Sequence, residues 1–528
     1  VLRQFRSPSV VIIVTAFCLC VFCDFWIARA TLPDADAVQN FNELGSVFSN
    51  NIFLRGWVLA SDNFYGTDLP FYVVGRLLFG NQLWLIYVVP TVVFALLLLA
   101  AVLLVVRARP AGTPAWPGAL MVMYVIGIPF QPGASMLLIS DFHTATIMFC
   151  LFALLIIQPV LGGGAINRWM FVVFTLVLFV AEASDPFAGM FFGAPLFLLL
   201  VFRLSRRSTR CSADLVLLGC VIASVVWAED LPSILSALHG FTLRASYSTR
   251  TIGNLDEFLM NLQALFAALR ILFNAQFASL HSISCADSMA ISRFAMELGI
   301  LVAALLTILR FFRASPPAAE EFLVVGAVSL AILDILSITF SSAIGFGPGF
   351  PNAAVRYVVP VFIFLSIAAT IAAQRRLFAL SNATRQRLSI AFAMALGAFF
   401  IVVIVPPVVK DATAEAGIYA APQYKLAQWL KAQHYRYGVG DYYTTQLVRA
   451  LSKQEVMADP VTVEDGLMPL RFWTDTTRFD TNMRPQFVVY PPKNWYGLNE
   501  PAAEKTYGRP RGIANVSGII VLMLQPER

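Results

Sequence analysis

The chain reads as a polytopic α-helical membrane protein, with about 11 transmembrane helices and a small C-terminal extracytoplasmic α/β domain. Three observations predict it. Only 13% of the 528 residues are charged and 58% are hydrophobic, with a mean hydropathy of +0.73; soluble domains average about 25% charged residues. Solid runs of Leu, Val, Ile and Phe recur from end to end, whereas a membrane barrel would show short alternating segments. All lysines lie at or after Lys410, so the last part of the chain is chemically distinct.

The apolar segments fall at 10–28, 83–106, 117–132, 142–160, 168–184, 187–203, 213–228, 293–313, 320–341, 354–373 and 387–406. Loop charge orients them. With the N-terminus cytoplasmic, the inner loops collect Arg3, Arg6, Arg107, Arg109, Arg168, Arg203, Arg206, Arg207, Arg210, Arg310, Arg313, Arg375, Arg376, Arg385 and Arg387, as the positive-inside rule requires. Residues 1–406 then form the multi-spanning domain, and 407–528 a soluble domain on the outer, periplasmic side of a bacterial inner membrane. Ala28-Arg29-Ala30 has the small-residue pattern of a cleavage site, but Asp24 and Trp26 before it favour a retained anchor. Residues 31–80 are outside either way.

Two long outer loops follow from this topology, 29–82 and 229–292. In the first, Leu54, Trp57, Val58 and Leu59, then Phe71, Tyr72, Val73 and Val74, punctuate polar sequence, which predicts helices lying in the membrane interface. In the second, residues 256–277 are apolar but interrupted by Asn261, Gln263, Arg270 and Asn274; they read as a partly buried or interfacial helix. The tail is about 120 residues, enough for one small domain. YKLAQWLKAQHYRYG (424–438) reads as a helix stopped by Gly438, and QFVVY (486–490) and GIIVLML (518–524) read as strands.

Net charge is +6, and basic residues in the tail are scattered singly among acids, which argues against nucleic acid as a partner. The seven cysteines have no metal-binding spacing and form no disulfide framework.

Ionisable groups at membrane depth are costly and therefore functional candidates. Here Asp34, Asp36, Asp62, Asp68, Asp141, His143, Glu182, Asp185, Arg244 and Arg356 all map to outer loops or outer helix ends, and only Asp334 lies deep in an apolar run. Asp34-Ala35-Asp36 directly follows the first helix. Two carboxylates at that spacing can hold a divalent cation such as Mg²⁺ or Mn²⁺, or serve as a base beside an ionised neighbour; a solvated turn after Pro33 uses the same residues. Asp62 and Asp68 sit among aromatic residues in SDNFYGTDLPFY, where they suit either sugar contacts or helix capping. Asp141 and His143 open a helix in SDFHTAT, and Glu182 and Asp185 occupy an outer turn in EASDPF. Arg356, in NAAVRYVVP, is a bidentate donor at headgroup level that suits a phosphate, and Arg244 offers the same on the second loop.

With these residues in place, the chain resembles the GT-C fold integral-membrane glycosyltransferases of bacteria that use polyprenyl-phosphate sugars. The resemblance rests on the acids just past the first helix, on SDFHTAT, EASDPF and VRYVVP, and on LAQWLKAQHYRYGVGDYYTTQLVRALS followed by FVVYPP in the tail. It implies that Asp34, Asp36 or Asp68 is the catalytic base, with Asp34 and Asp36 the metal ligands if a metal is used. It implies too that Arg356, with Arg244, binds the donor phosphate. The expected partners are a polyprenyl-phosphate-linked sugar, a glycan, lipid or protein acceptor, and membrane lipids. Many members carry adjacent acids in the first loop, whereas here they are spaced as DAD and again at Asp62 and Asp68. A transporter or flippase for a lipid-linked glycan would instead need internal repeats and a midplane site. A non-catalytic membrane scaffold would leave the loop acids facing solvent.

Overall fold

The computed structural model describes residues 8–525 except 111, 128–136, 141, 164–166, 206–210, 245–253, 341–350, 379, 482, 495 and all of 273–317 but 299, 302, 305 and 306. Helix α1 (Pro8–Ala30) is followed by α2 (Gln39–Phe48), α3 (Leu69–Phe79), α4 (Leu85–Arg107), α5 (Trp116–Ile126), α6 (Thr144–Leu161), α7 (Arg168–Ser184), α8 (Ala194–Ser205), α9 (Cys211–Ala237), α10 (Leu255–Leu272), α11 (Ala318–Phe340), α12 (Pro351–Phe378) and α13 (Asn382–Phe399). Among the described residues five helices are long and apolar enough to cross a membrane: α1, α4, α6, α9 and α12. The chain is a multi-pass membrane protein. Helix α4 is the hub of the apolar core, with Phe94, Leu97, Leu98, Ala100 and Ala101 all fully buried against α1, α5 and α6.

The first outer loop departs from the interfacial reading in two places. Helix α2 is buried from Gln39 to Leu44 and reaches the surface only in its last turn, at Phe48. Trp57, Val58 and Leu59 form strand β1 rather than a helix. An aromatic and two aliphatic residues in three positions suit a short strand, and β1 has neighbours on both sides. It pairs parallel with β2 (Thr242–Leu243) from the second outer loop and antiparallel with β6 (Thr474–Asp475) from the tail. Helix α3 does keep an exposed apolar stripe, Val74, Leu77, Leu78 and Phe79, as an interfacial helix should. Helix α10 packs along α11 and α12 with Asn261, Ala264 and Leu265 buried, and leaves Leu255, Leu259 and Met260 exposed. The segment 293–313 lies largely outside the described residues.

After α14 (Val405–Thr413), the C-terminal part builds a six-stranded sheet, order β5-β4-β3-β7-β9-β8. Its parallel centre is β3 (Tyr437–Gly440) between β4 (Met457–Val463) and β7 (Phe487–Tyr490). Antiparallel β5 (Leu467–Pro469), β8 (Gly512–Val516) and β9 (Ile519–Met523) complete it. Helix α15 (Pro422–Ala432) ends well before Gly438, which lies inside β3 instead. The reason is packing: the Phe487 ring covers Gly438 so closely that a Cβ there would overlap it. Helix α16 (Tyr442–Leu451) begins on the Asp441 side chain, which accepts from the amides of Tyr443 and Thr444.

Helices α2 and α16 form the seam between first loop and tail. Asn42 donates to the Gln446 carbonyl and side-chain oxygens, both at 3.1 Å. Gln454 donates to the carbonyls of Phe41 and Asn42 at 3.1 Å each. Gly45 leaves the space that the Gln454 side chain fills, since a Cβ there would overlap it. The seam is polar and buried, and these bonds pair part of its polar groups.

Candidate active site

Pro33 and a single 3-10 turn at Asp36–Val38 carry the chain from α1 into α2. At the start of that turn the Asp36 amide donates to Asp34 Oδ1 at 3.4 Å. Burial raises the Asp34 carboxyl, while the Asp36 and Ala35 amides and the Arg356 charge oppose the rise. Burial likewise pushes Asp36 up to about 7, with Asp34 and Asp62 adding to the rise and Tyr442 and Arg356 opposing it. The two acids and Arg356, far apart in sequence, therefore share one electrostatic environment.

Asp62 joins them from the turn before α3. Asn63 donates to the Ala183 carbonyl at 3.1 Å, the Phe64 amide to the Ser184 carbonyl at 3.0 Å, and the Gly66 amide to Ser184 Oγ at 2.8 Å. These bonds fasten the turn to the outer end of α7. Burial raises Asp62 and Asp185 adds to that, while His143 and Arg356 hold it down.

His143 precedes α6 with φ 64°, a left-handed conformation uncommon for a residue with a side chain. Its Nδ1 lies 2.6 Å from Asp185 Oδ2, to which Thr146 also donates at 2.5 Å, while the Phe187 amide donates to Oδ1 at 3.1 Å. Asp185 thereby accepts on both oxygens and fixes the imidazole, the usual arrangement for a histidine with an oriented ring. Phe64, Phe187 and Phe191 box the ring. Phe191 comes from a π-helical turn, Gly189–Gly193, a distortion often found at functional sites.

Of the expected residues, then, Asp34, Asp36, Asp62, His143, Asp185 and Arg356 come together. Glu182 is buried one turn before Asp185 and faces Gly193, where a Cβ would lie 2.9 Å from its carboxylate. Asp68 sits at the start of a helix. It occupies the cap position of α3, accepts from the Thr67 hydroxyl at 3.1 Å, and its charge acts on Glu43 of α2. Arg244 continues β2, its amide donating to the Leu59 carbonyl at 2.8 Å and its guanidinium 5.4 Å from the Phe472 ring. Asp141 lies outside the described residues, as does the side chain of Asp334.

Sequence reasoning missed Tyr442. Its hydroxyl donates to Asp36 Oδ1 at 2.8 Å and accepts from Gln39 Nε2 at 2.9 Å. The buried Glu43 and Arg449, whose charges act on each other, were not among the expected site residues either. Arg449 packs 4.8 Å from the Trp57 ring, and burial lowers its guanidinium to about 10. No spacing in the sequence marks any of the three, because each answers to a partner from a distant segment.

Asp34 and Asp36 are hard oxygen donors of the kind Mg²⁺ and Mn²⁺ take. Among the described residues no group of three or more His, Cys, Asp or Glu is placed to hold a metal. A cation here would have two carboxylates from the chain and the rest from phosphate and water, which is how Mg²⁺ is commonly held.

No protein-family profile matches the chain, and no curated protein is significantly similar in sequence. Solved structures are similar. The crystal structure of ArnT from Cupriavidus metallidurans in the apo state has a TM-score of 0.52 at 14% identity, covering 98% of this chain and 99% of that one. The same protein bound to undecaprenyl phosphate gives 0.50 at 14% identity with the same coverage. The likeness defines the fold: this chain has the GT-C fold.

Proposed function

We propose that this protein is a GT-C type glycosyltransferase. It moves a sugar from a polyprenyl-phosphate donor to a glycan, lipid or protein acceptor at the outer face of a bacterial inner membrane. The observation that carries the reading is the convergence of Asp34, Asp36 and Asp62 with Arg356. Acids alone would suit a solvated loop, but half-buried acids sharing one arginine suit a site where an anion and a hydroxyl must meet. ArnT, with the same fold, has been crystallised with undecaprenyl phosphate.

In this reading the first-loop carboxylate, Asp36 with Asp34 beside it, takes the proton of the acceptor hydroxyl. That oxygen attacks the sugar from the face opposite the phosphate, inverting the anomeric centre. Arg356 faces the phosphate and stabilises its charge as the glycosidic bond breaks. A divalent cation on Asp34 and Asp36, if used, would supply further positive charge for the leaving phosphate. The donor's chain reaches the site laterally from the lipid, and residues 407–528 form a periplasmic domain over the outer ends of about 11 spans.

The test is sugar transfer by purified protein from polyprenyl-phosphate donors. Asp36→Ala should lose about 10²–10⁴-fold in turnover, and Arg356→Ala about 10²–10³-fold. Full activity in Asp34→Ala, Asp36→Ala and Arg356→Ala alike would overturn the assignment.

A further inference from the structure

We infer that the C-terminal part of the chain supplies a positioning residue to the first-loop acid: Tyr442, whose hydroxyl proton is committed to Asp36 by Gln39. This rests on the transferase reading and deepens it.

The direction of the two hydrogen bonds is decisive. Gln39 Nε2 has only protons to offer, so at 2.9 Å the Tyr442 oxygen must accept. The phenol has one proton, and its other partner at 2.8 Å is Asp36 Oδ1, an acceptor. Reversing the polarity would face a lone pair to the carboxylate. Tyr442 is 2% exposed and Gln39 fully buried, so water does not compete for either bond. Burial beside Asp36 also raises the phenol well above its ordinary range, keeping it a donor. One Asp36 oxygen is thus pinned, and the other is held in a fixed direction.

The tyrosine in turn is held from both sides. Asp441 fixes the first turn of α16, and Phe472 packs 5.4 Å from the Tyr442 ring. The acid near the chain's start therefore has its geometry set by a segment 406 residues later. A tail that only covered the first loop would not need to reach a carboxylate oxygen.

The test compares full-length wild type, Tyr442→Phe and Gln446→Leu in the sugar-transfer assay, with thermal midpoints measured in parallel. Tyr442→Phe removes one hydroxyl; Gln446→Leu loosens the same seam without touching Asp36. The expected result is a fall in kcat of about 10- to 100-fold for Tyr442→Phe, donor KM within about 2-fold, and near wild-type kcat for Gln446→Leu. Wild-type kcat in Tyr442→Phe overturns the inference. So does a fall in kcat that both variants share in proportion to lost thermal midpoint, which would make the contact structural only. An inactive wild type would overturn the transferase reading and this inference with it.

Discussion

His143 occupies a left-handed backbone position and is tied at one nitrogen to Asp185. Residues held in such conformations cost about 1–3 kcal/mol and persist where the surroundings over-determine them; here Asp185, Thr146 and three phenylalanines do so. Asp185→Asn keeps the shape but exchanges one acceptor oxygen for a donor, so the imidazole loses its orientation. We expect transfer to fall about 10- to 100-fold with the fold intact, read as kcat beside an unchanged circular dichroism spectrum. At this scale the sequence was informative where a residue's role is local. Asp34, Asp36, Asp62, His143, Asp185 and Arg356 could be marked because each sits at an outer helix end or loop where an ionisable group needs a reason. Asp68 looked equivalent, yet it caps α3 beside Thr67 and its charge acts on Glu43. Which side of a turn an acid faces depends on what packs there, and that is not written in spacing.

The seam elements give two predictions. Burial raises Glu43 well above its ordinary 4.5, against the pull of Arg449 and with Asp68 adding to the rise. The unfolded chain releases this proton at the ordinary value and the folded chain only at higher pH. The stability it contributes is therefore fully present below 4.5 and lost as pH rises through the folded value. Relative to wild type, Glu43→Gln should match it at about pH 4 and gain thermal midpoint towards about pH 8; a constant difference across that range would contradict the raised carboxyl. Gly440 of β3 tests the sheet, because a Cβ there would overlap the Val489 carbonyl. Gly440→Ala should destabilise by about 1–3 kcal/mol, measured by denaturant unfolding. Strands β7 and β9 were legible as apolar runs between turn residues. Strand β1 was not, because three residues make a strand only when β2 and β6 arrive from elsewhere in the chain.

Across the whole molecule, one ribbon joins the first loop, the second loop and the tail, and the α2–α16 seam backs it. The membrane class was legible from composition, since apolar runs answer to lipid wherever they pack. The docking of tail on loop was not, because bonds such as Asn42 to Gln446 leave no periodic trace. Buried and mutually bonded, α2 and α16 should open as one unit. Asn42→Leu should raise amide hydrogen exchange in both helices together; unchanged protection in α16 would contradict the coupling.

In the proposed mechanism the catalytic acid is Asp36 in the Arg356 cluster, while Asp68 caps α3. Turnover of a polyprenyl-phosphate sugar by Asp36→Asn and by Asp68→Asn, side by side, tests that division most directly. The predicted result is a loss of about 10²-fold or more for Asp36→Asn and turnover near wild type for Asp68→Asn. Wild-type turnover in Asp36→Asn, with the loss appearing in Asp68→Asn, would contradict it.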